Sequence, residues 1–147
     1  MYCKTITLLA TLSLMMFFAG GCSNVPRGVA PDARIVGLAD SGSLVRLHPE
    51  QELVLKLNSN PTTGYAWRID QTINQTVLLP DGSKFDQSSQ QRSRGEEVGT
   101  QLLRFVAQQP GRTRLKMVYT NLQQGMIEGT PTYELEVIVA PKPTPAQ

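Results

Sequence analysis

The feature that most restricts the fold is an alternation of apolar and polar residues that recurs along the chain. In ELVLKLN, Leu53, Leu55 and Leu57 share one face while Val54 and Lys56 take the other. RTRLKMVY places Leu115, Met117 and Tyr119 together, and TYELEVIV aligns Tyr133, Leu135, Val137 and Val139 against Glu134, Glu136 and Ile138. Successive side chains of a strand point to opposite sides, so each segment reads as a strand with one buried face. Shorter candidates are Leu44–Leu47, Tyr65–Ile69, Thr76–Leu79 and Gln101–Ala107, set apart by turn signals such as PDGS and QQPGR. About seven short strands with no helical stretch after the N-terminal segment predict an all-β, antiparallel sandwich. GSKFDQSSQQRSRGEEVG, from Gly82 to Gly99, is too long and polar for a tight turn and is expected to be a partly mobile loop.

The ends have a different character. Lys4 precedes the apolar run ITLLATLSLMMFFAGG, which is shorter than the roughly 20 residues of a spanning helix and reads as a secretory leader, residues 1–21. FAGGC resembles the lipobox of bacterial lipoproteins, with Ala19 where such boxes usually carry Leu. The resemblance implies acylation at Cys22 and, because Ser23 is not Asp, outer-membrane anchoring facing the periplasm. An ordinary secretory signal or an uncleaved anchor is the alternative. SNVPRGVAPDA then suits a tether, residues 22–33, before a domain at 34–140, and the Pro-rich APKPTPAQ closes the chain with a tail at 141–147. Cys3 falls in the leader, so the domain is expected to stand without a disulfide.

Composition narrows the function. A chain of 147 residues, 40% hydrophobic and 18% charged, suffices for one globular core. Its 14 Lys and Arg are interspersed with 12 Asp and Glu rather than gathered on one face, which argues against nucleic acid. Enzymatic readings lack material: the single histidine, His48, lies beside Pro49 at a strand end, the domain has no thiol, and no G-x-S-x-G elbow occurs. His48 with the scattered Met117 and Met126 has no metal-ligand spacing, and no cofactor is expected. Glu96 and Glu97 beside Arg92 and Arg94 read most simply as a solvated loop. What remains is binding by loops carried on a rigid sheet.

One loop is distinctive. In LNSNPTTGYAW, Pro61 fixes its own φ, Asn60 is pushed extended, and Gly64 can take a positive φ, which accounts for a turn but not for Thr62, Thr63 and Tyr65. Trp67 is expected to enter the core. NPTTGY in this strand context resembles the signature loop of the chagasin-type inhibitors of papain-like cysteine proteases, an immunoglobulin-like family, and the resemblance extends over Leu44 to Val139. It implies a non-enzymatic, monomeric inhibitor whose three loops fill the protease cleft: Asn60, Pro61, Thr62, Thr63, Gly64 and Tyr65 centrally, with both threonines over the catalytic Cys and His. The second loop, G-x-G-G in the family, here reads GEEVGT and keeps Gly95 and Gly99 around Glu96, Glu97 and Val98. The third, R-P-W in the family, has Asn121, Leu122 and Gln123 in those places, which leaves Leu122 or Met126 to replace the aromatic anchor. A non-inhibitory interaction module of the cell envelope on the same fold is the alternative.

Overall fold

The computed structural model describes residues 28–121, 123–124 and 129–142. Cys22, the leader, Leu122, Met126 and the last five residues therefore lie outside the described residues. Eight strands follow in order: β1 (Arg34–Gly37), β2 (Leu44–Leu47), β3 (Glu52–Ser59), β4 (Tyr65–Ile69), β5 (Leu78–Asp86), β6 (Gly99–Ala107), β7 (Gly111–Asn121) and β8 (Thr132–Val139). They form two four-stranded sheets, β1-β3-β6-β5 and β2-β8-β7-β4.

The alternation does what its period demands. Leu53, Leu55 and Leu57 on β3 face Leu115 and Met117 on β7 and Tyr133, Leu135, Val137 and Val139 on β8 across one apolar interior, joined by Phe105 and Trp67. Burying each such side chain contributes about 1.5–3 kcal/mol, so this layer is the main source of stability. Among the described residues, all of its members come from residues 36–139.

Four departures from the sequence reading have physical causes. The sandwich is not wholly antiparallel: β1 runs parallel to β3, and β2 parallel to β8. A parallel pair needs a crossover of about a dozen residues, and the chain supplies one by sending β2 to the opposite sheet between β1 and β3. Second, the strand expected at Thr76–Leu79 begins two residues later, because Asn74 Oδ1 accepts from Thr76 N–H and from its hydroxyl and holds the chain in a turn. Third, PDGS is a bulge rather than a reversal. β5 continues through Pro80, its register against β6 shifts between Pro80 and Ser83, and Gly82 adopts φ +106°. An edge strand tolerates a proline that an inner strand would not. Fourth, the polar stretch expected as a loop contains the last residues of β5 and a one-turn helix, α1 (Ser89–Ser93), where no helix was expected. Ser88 Oγ accepts from Gln91 N–H and Gln91 Oε1 accepts from Ser88 N–H, a reciprocal cap that offsets part of the nucleation cost of so short a helix.

Val54, on the outward face, is nevertheless fully buried. It lies in register between Ile35 and Arg104. Beside it the segment leading into β1 is tied down: Arg104 Nη1 donates to Gly28 O and to Glu52 Oε1 (3.2 Å), Ala30 N–H donates to Glu52 Oε2 (2.9 Å), and Gln51 Nε2 donates to Asp32 O. The described part of the expected tether, residues 28–33, is therefore bonded to the sandwich.

Candidate functional site

Strand pairing brings three connections to one end of the sandwich. Ser59 opposes Gly99, Tyr65 opposes Asn121, and Asp86 opposes Thr100. The β3–β4 loop, the β5–β6 connection and the β7–β8 loop therefore emerge side by side. His48, next to the β2–β3 turn, is at the far end, where Leu47 opposes Val139. Among the described residues no group of three His, Cys, Asp or Glu is placed to hold a metal ion.

The central loop is a single 3-10 turn, Pro61–Thr63, with an extended residue before it and a left-handed one after it. Asn60 makes it: its backbone stays extended at φ −127°, and Oδ1 accepts from Thr62 N–H (3.2 Å) as a cap. Pro61 at the first helical position has no N–H to leave unpaired. Gly64 closes the turn at φ +79°, a conformation that costs other residues about 1 kcal/mol or more. Its N–H donates to Pro61 O (3.0 Å). Thr63 Oγ1 donates to Asn60 O (2.7 Å). Pro61, Thr62 and Thr63 are exposed, whereas Asn60, Gly64 and Tyr65 are half-buried.

Neighbouring strands hold this turn from below. Tyr119 on β7 accepts from Asn60 N–H through its hydroxyl (2.9 Å), and its ring lies between those of Tyr65 and Trp67, with centroids 5.6 and 5.2 Å away. Trp67 is buried in the core and donates from Nε1 to Asn58 O (2.8 Å). Gln101, buried on β6, accepts from Trp67 N–H (2.8 Å) and donates to Trp67 O (3.1 Å), bridging the two sheets directly behind the loop. The aromatics of LNSNPTTGYAW are thus the footing of the turn. Neither Gln101 nor Tyr119 stands out in the sequence as a site residue. The signal for Gln101 was a polar side chain in an inward register shared with Leu103 and Phe105.

The flanking loops meet the central one through side chains. Asn121 Nδ2 donates to Thr63 O (3.3 Å), and its Oδ1 accepts from Gln123 N–H (2.8 Å) and Gln124 N–H (3.3 Å), which commits this amide to interior ties. From the second loop, Glu97 Oε2 lies 2.6 Å from Thr62 Oγ1. Gly95 takes φ +67° at the turn after α1. Gly99 is buried, and a Cβ there would lie 2.5 Å from Phe85 Cζ and 2.6 Å from Asp86 O, so its bareness serves internal packing. Leu122, beyond Asn121, lies outside the described residues.

The comparisons with known proteins can now be set beside this geometry. The family model of the chagasin family peptidase inhibitors matches residues 46–137, well over half of the chain. The chain belongs to this family. A chagasin-family protein is a peptidase inhibitor and not an enzyme. Among solved structures it is similar to the cysteine protease inhibitor EhICP2 from Entamoeba histolytica, with a TM-score of 0.65 at 15% identity over 74% of this chain and 96% of that one. It is also similar to amebosin, with a TM-score of 0.59 at 20% identity over 74% of this chain and 98% of the other. At such identities these likenesses establish the shared sandwich. No curated protein matches the chain in sequence. In this chagasin-family protein all of Asn60–Tyr65, with Gly95, Gly99 and Asn121, lie at the loop end.

Proposed function

We propose that this chagasin-family protein inhibits papain-like cysteine proteases without being cut, by seating the Asn60–Tyr65 loop in the active-site cleft with the two neighbouring loops alongside. The observation that carries this reading is the state of the central loop's backbone. It is exposed at Pro61, Thr62 and Thr63, yet three of its carbonyls are engaged by the protein itself: Asn60 O by Thr63 Oγ1, Pro61 O by Gly64 N–H, and Thr63 O by Asn121 Nδ2. A cysteine thiolate activated by histidine needs an accessible carbonyl on a correctly aligned peptide. A 3-10 turn with three of its carbonyls so engaged occupies the space without presenting an extended peptide aligned for attack. Because the turn is already ordered, little conformational entropy remains to be lost on docking.

In the same reading the chain is a lipoprotein of the bacterial envelope, acylated at Cys22 and held at the outer membrane facing the periplasm, acting as a monomer. Residues 28–32 bond to Gln51, Glu52 and Arg104, at the end of β3 farthest from the loops, so an anchor preceding them would leave the loops facing away from the bilayer. Replacing Cys22 by Ser should release the protein into the soluble fraction.

The test of inhibition uses residues 22–147 carrying Cys22→Ser, titrated against several papain-like proteases. Stoichiometric loss of activity with the inhibitor recovered intact is the expected result. No inhibition of any of them at micromolar excess would remove this reading. Thr63→Glu should abolish inhibition with an unchanged melting temperature, since Thr63 is exposed. A second reading, a non-inhibitory envelope module, draws on Asn121: its amide faces the central loop and the start of its own loop. Recovery from envelope extract of a cell-wall or assembly protein rather than a peptidase would favour it.

A further inference from the structure

Glu97 interrupts the glycine pattern of the second loop, yet its carboxylate reaches across 35 residues of sequence to the central turn. Thr62 Oγ1 lies 2.6 Å from Glu97 Oε2 and 2.7 Å from Asn60 Oδ1. A hydroxyl has one hydrogen to give, and Asn60 Oδ1 already accepts the Thr62 N–H. The ionised carboxylate is the stronger acceptor, and 2.6 Å is the separation expected of a charge-assisted O–H···O bond. The hydroxyl hydrogen therefore leans toward Glu97 while Asn60 Oδ1, 2.7 Å away, shares it, since two acceptor oxygens at that separation would otherwise repel. Its neighbour Glu96 is engaged elsewhere: the side chain pairs with Arg94 (3.5 Å) and the carbonyl accepts from Gln87 Nε2 (2.7 Å). Gln87 Nε2 also donates to Val98 O (3.3 Å), so the backbone on both sides of Glu97 is tied back to the end of β5.

We propose that Glu97 is a positioning residue for the inhibitory turn, a side-chain tie from the second loop that fixes the Thr62 hydroxyl in one rotamer. This rests on the inhibitory reading above and goes beyond it by assigning the turn's orientation to a loop that carries none of its residues. It also fixes the polarity of Thr62. With its hydrogen held between Glu97 and Asn60, the hydroxyl oxygen is offered as an acceptor, and the group it recognises in a protease cleft is a hydrogen-bond donor, an amide or a protonated imidazole.

The test uses residues 22–147 with Cys22→Ser as parent and compares Glu97→Ala, Glu97→Gln, Thr62→Val and the Thr62→Val/Glu97→Ala pair. Glu97→Ala should weaken inhibition about tenfold, the scale of one charge-assisted hydrogen bond, with an unchanged melting temperature because Glu97 is exposed. Glu97→Gln, which keeps an acceptor oxygen, should restore most of the loss. In the Thr62→Val background, Glu97→Ala should have no further effect. A full tenfold loss in that background would mean that Glu97 acts on the protease directly and would overturn the proposal. The free protein gives an independent readout: the Thr62 methyl resonance and its χ1 couplings should shift toward rotamer averaging in Glu97→Ala and stay put in Glu97→Gln. Unmoved couplings in Glu97→Ala would equally overturn it. If the parent inhibits no protease, the functional reading falls while the methyl spectra still decide whether the tie exists.

Discussion

The interior of the sandwich and its loop end are held by different forces. Between the sheets, leucines, valines and a few aromatics exclude water almost completely, and no single contact decides the outcome. At the loop end the turn Pro61–Thr63 buries none of its residues and is held by hydrogen bonds from Asn60, Tyr119, Asn121 and Glu97. Apolar burial is non-directional and tolerates some exchange of shape, whereas a hydrogen bond fixes an atom. The comparison suggests a division of labour in which the core sets stability and the polar ties set the shape presented to a partner. Tyr119 is the joint between the two, its ring against Trp67 and its hydroxyl on Asn60 N–H.

Substitutions that separate the two regions test that division, and the largest effect belongs to the core. Leu115, at the centre of β7, is fully buried. Leu115→Ala should lower unfolding free energy by about 2–5 kcal/mol in urea titrations, with an unchanged inhibition constant per folded molecule. Gly99→Ala should cost about 1–3 kcal/mol of stability, because Phe85 Cζ and the Asp86 carbonyl stand within 2.6 Å of the new methyl and backbone cannot simply step aside. Tyr119→Phe should be felt on both sides of the comparison. It keeps the ring but leaves Asn60 N–H without its partner, costing about 1 kcal/mol in binding and in melting experiments alike.

The smallest effect concerns a polar group misplaced in the apolar region. The Tyr133 hydroxyl is buried without a hydrogen-bond partner among the described residues. Burial, reinforced by the charge of Asp40, holds its pKa well above the ordinary tyrosine range. The folded state therefore keeps the proton longer than the unfolded chain. The stabilising difference is fully present below about pH 10, the ordinary tyrosine value, and is lost as pH rises beyond it. Tyr133→Phe should be neutral or stabilising by up to about 1 kcal/mol at neutral pH and should flatten the alkaline fall in stability, as followed by melting temperature between neutral and strongly alkaline pH.

How far the sequence revealed this molecule depended on which force holds each part. Strands facing the core announce themselves: β6 and β8 bury alternate residues throughout, β3 and β7 over part of their length, and the alternation is visible as letters. Of the edge strands, β2 and β4 do so too, at Leu44–Leu47 and Tyr65–Ile69, whereas β1 and β5 do not. β1 buries only Val36, and β5 is largely exposed after Leu78, so both rest on backbone pairing with an inner strand, to which side-chain pattern is blind. The central loop was legible because capping and turn chemistry are local, involving Asn60, Pro61 and Gly64 within a few residues. Its long-range ties were not. Glu97 reads as one more charge in a polar stretch, and only the fold brings it to Thr62. Gln101 likewise reads as an interruption in an apolar row until β4 is placed opposite it.

The central claim, that an internally bonded turn occupies the cleft of a cysteine protease without offering a bond to cut, is tested most directly at the target's catalytic thiol. A papain-like protease is incubated with residues 22–147 carrying Cys22→Ser, the thiol is challenged with a small alkylating reagent, and the inhibitor is analysed by mass spectrometry. The account predicts that one equivalent shields the thiol from alkylation and that the inhibitor is recovered uncut between Asn60 and Tyr65. Alkylation at the unprotected rate, or cleavage within that loop, would contradict it.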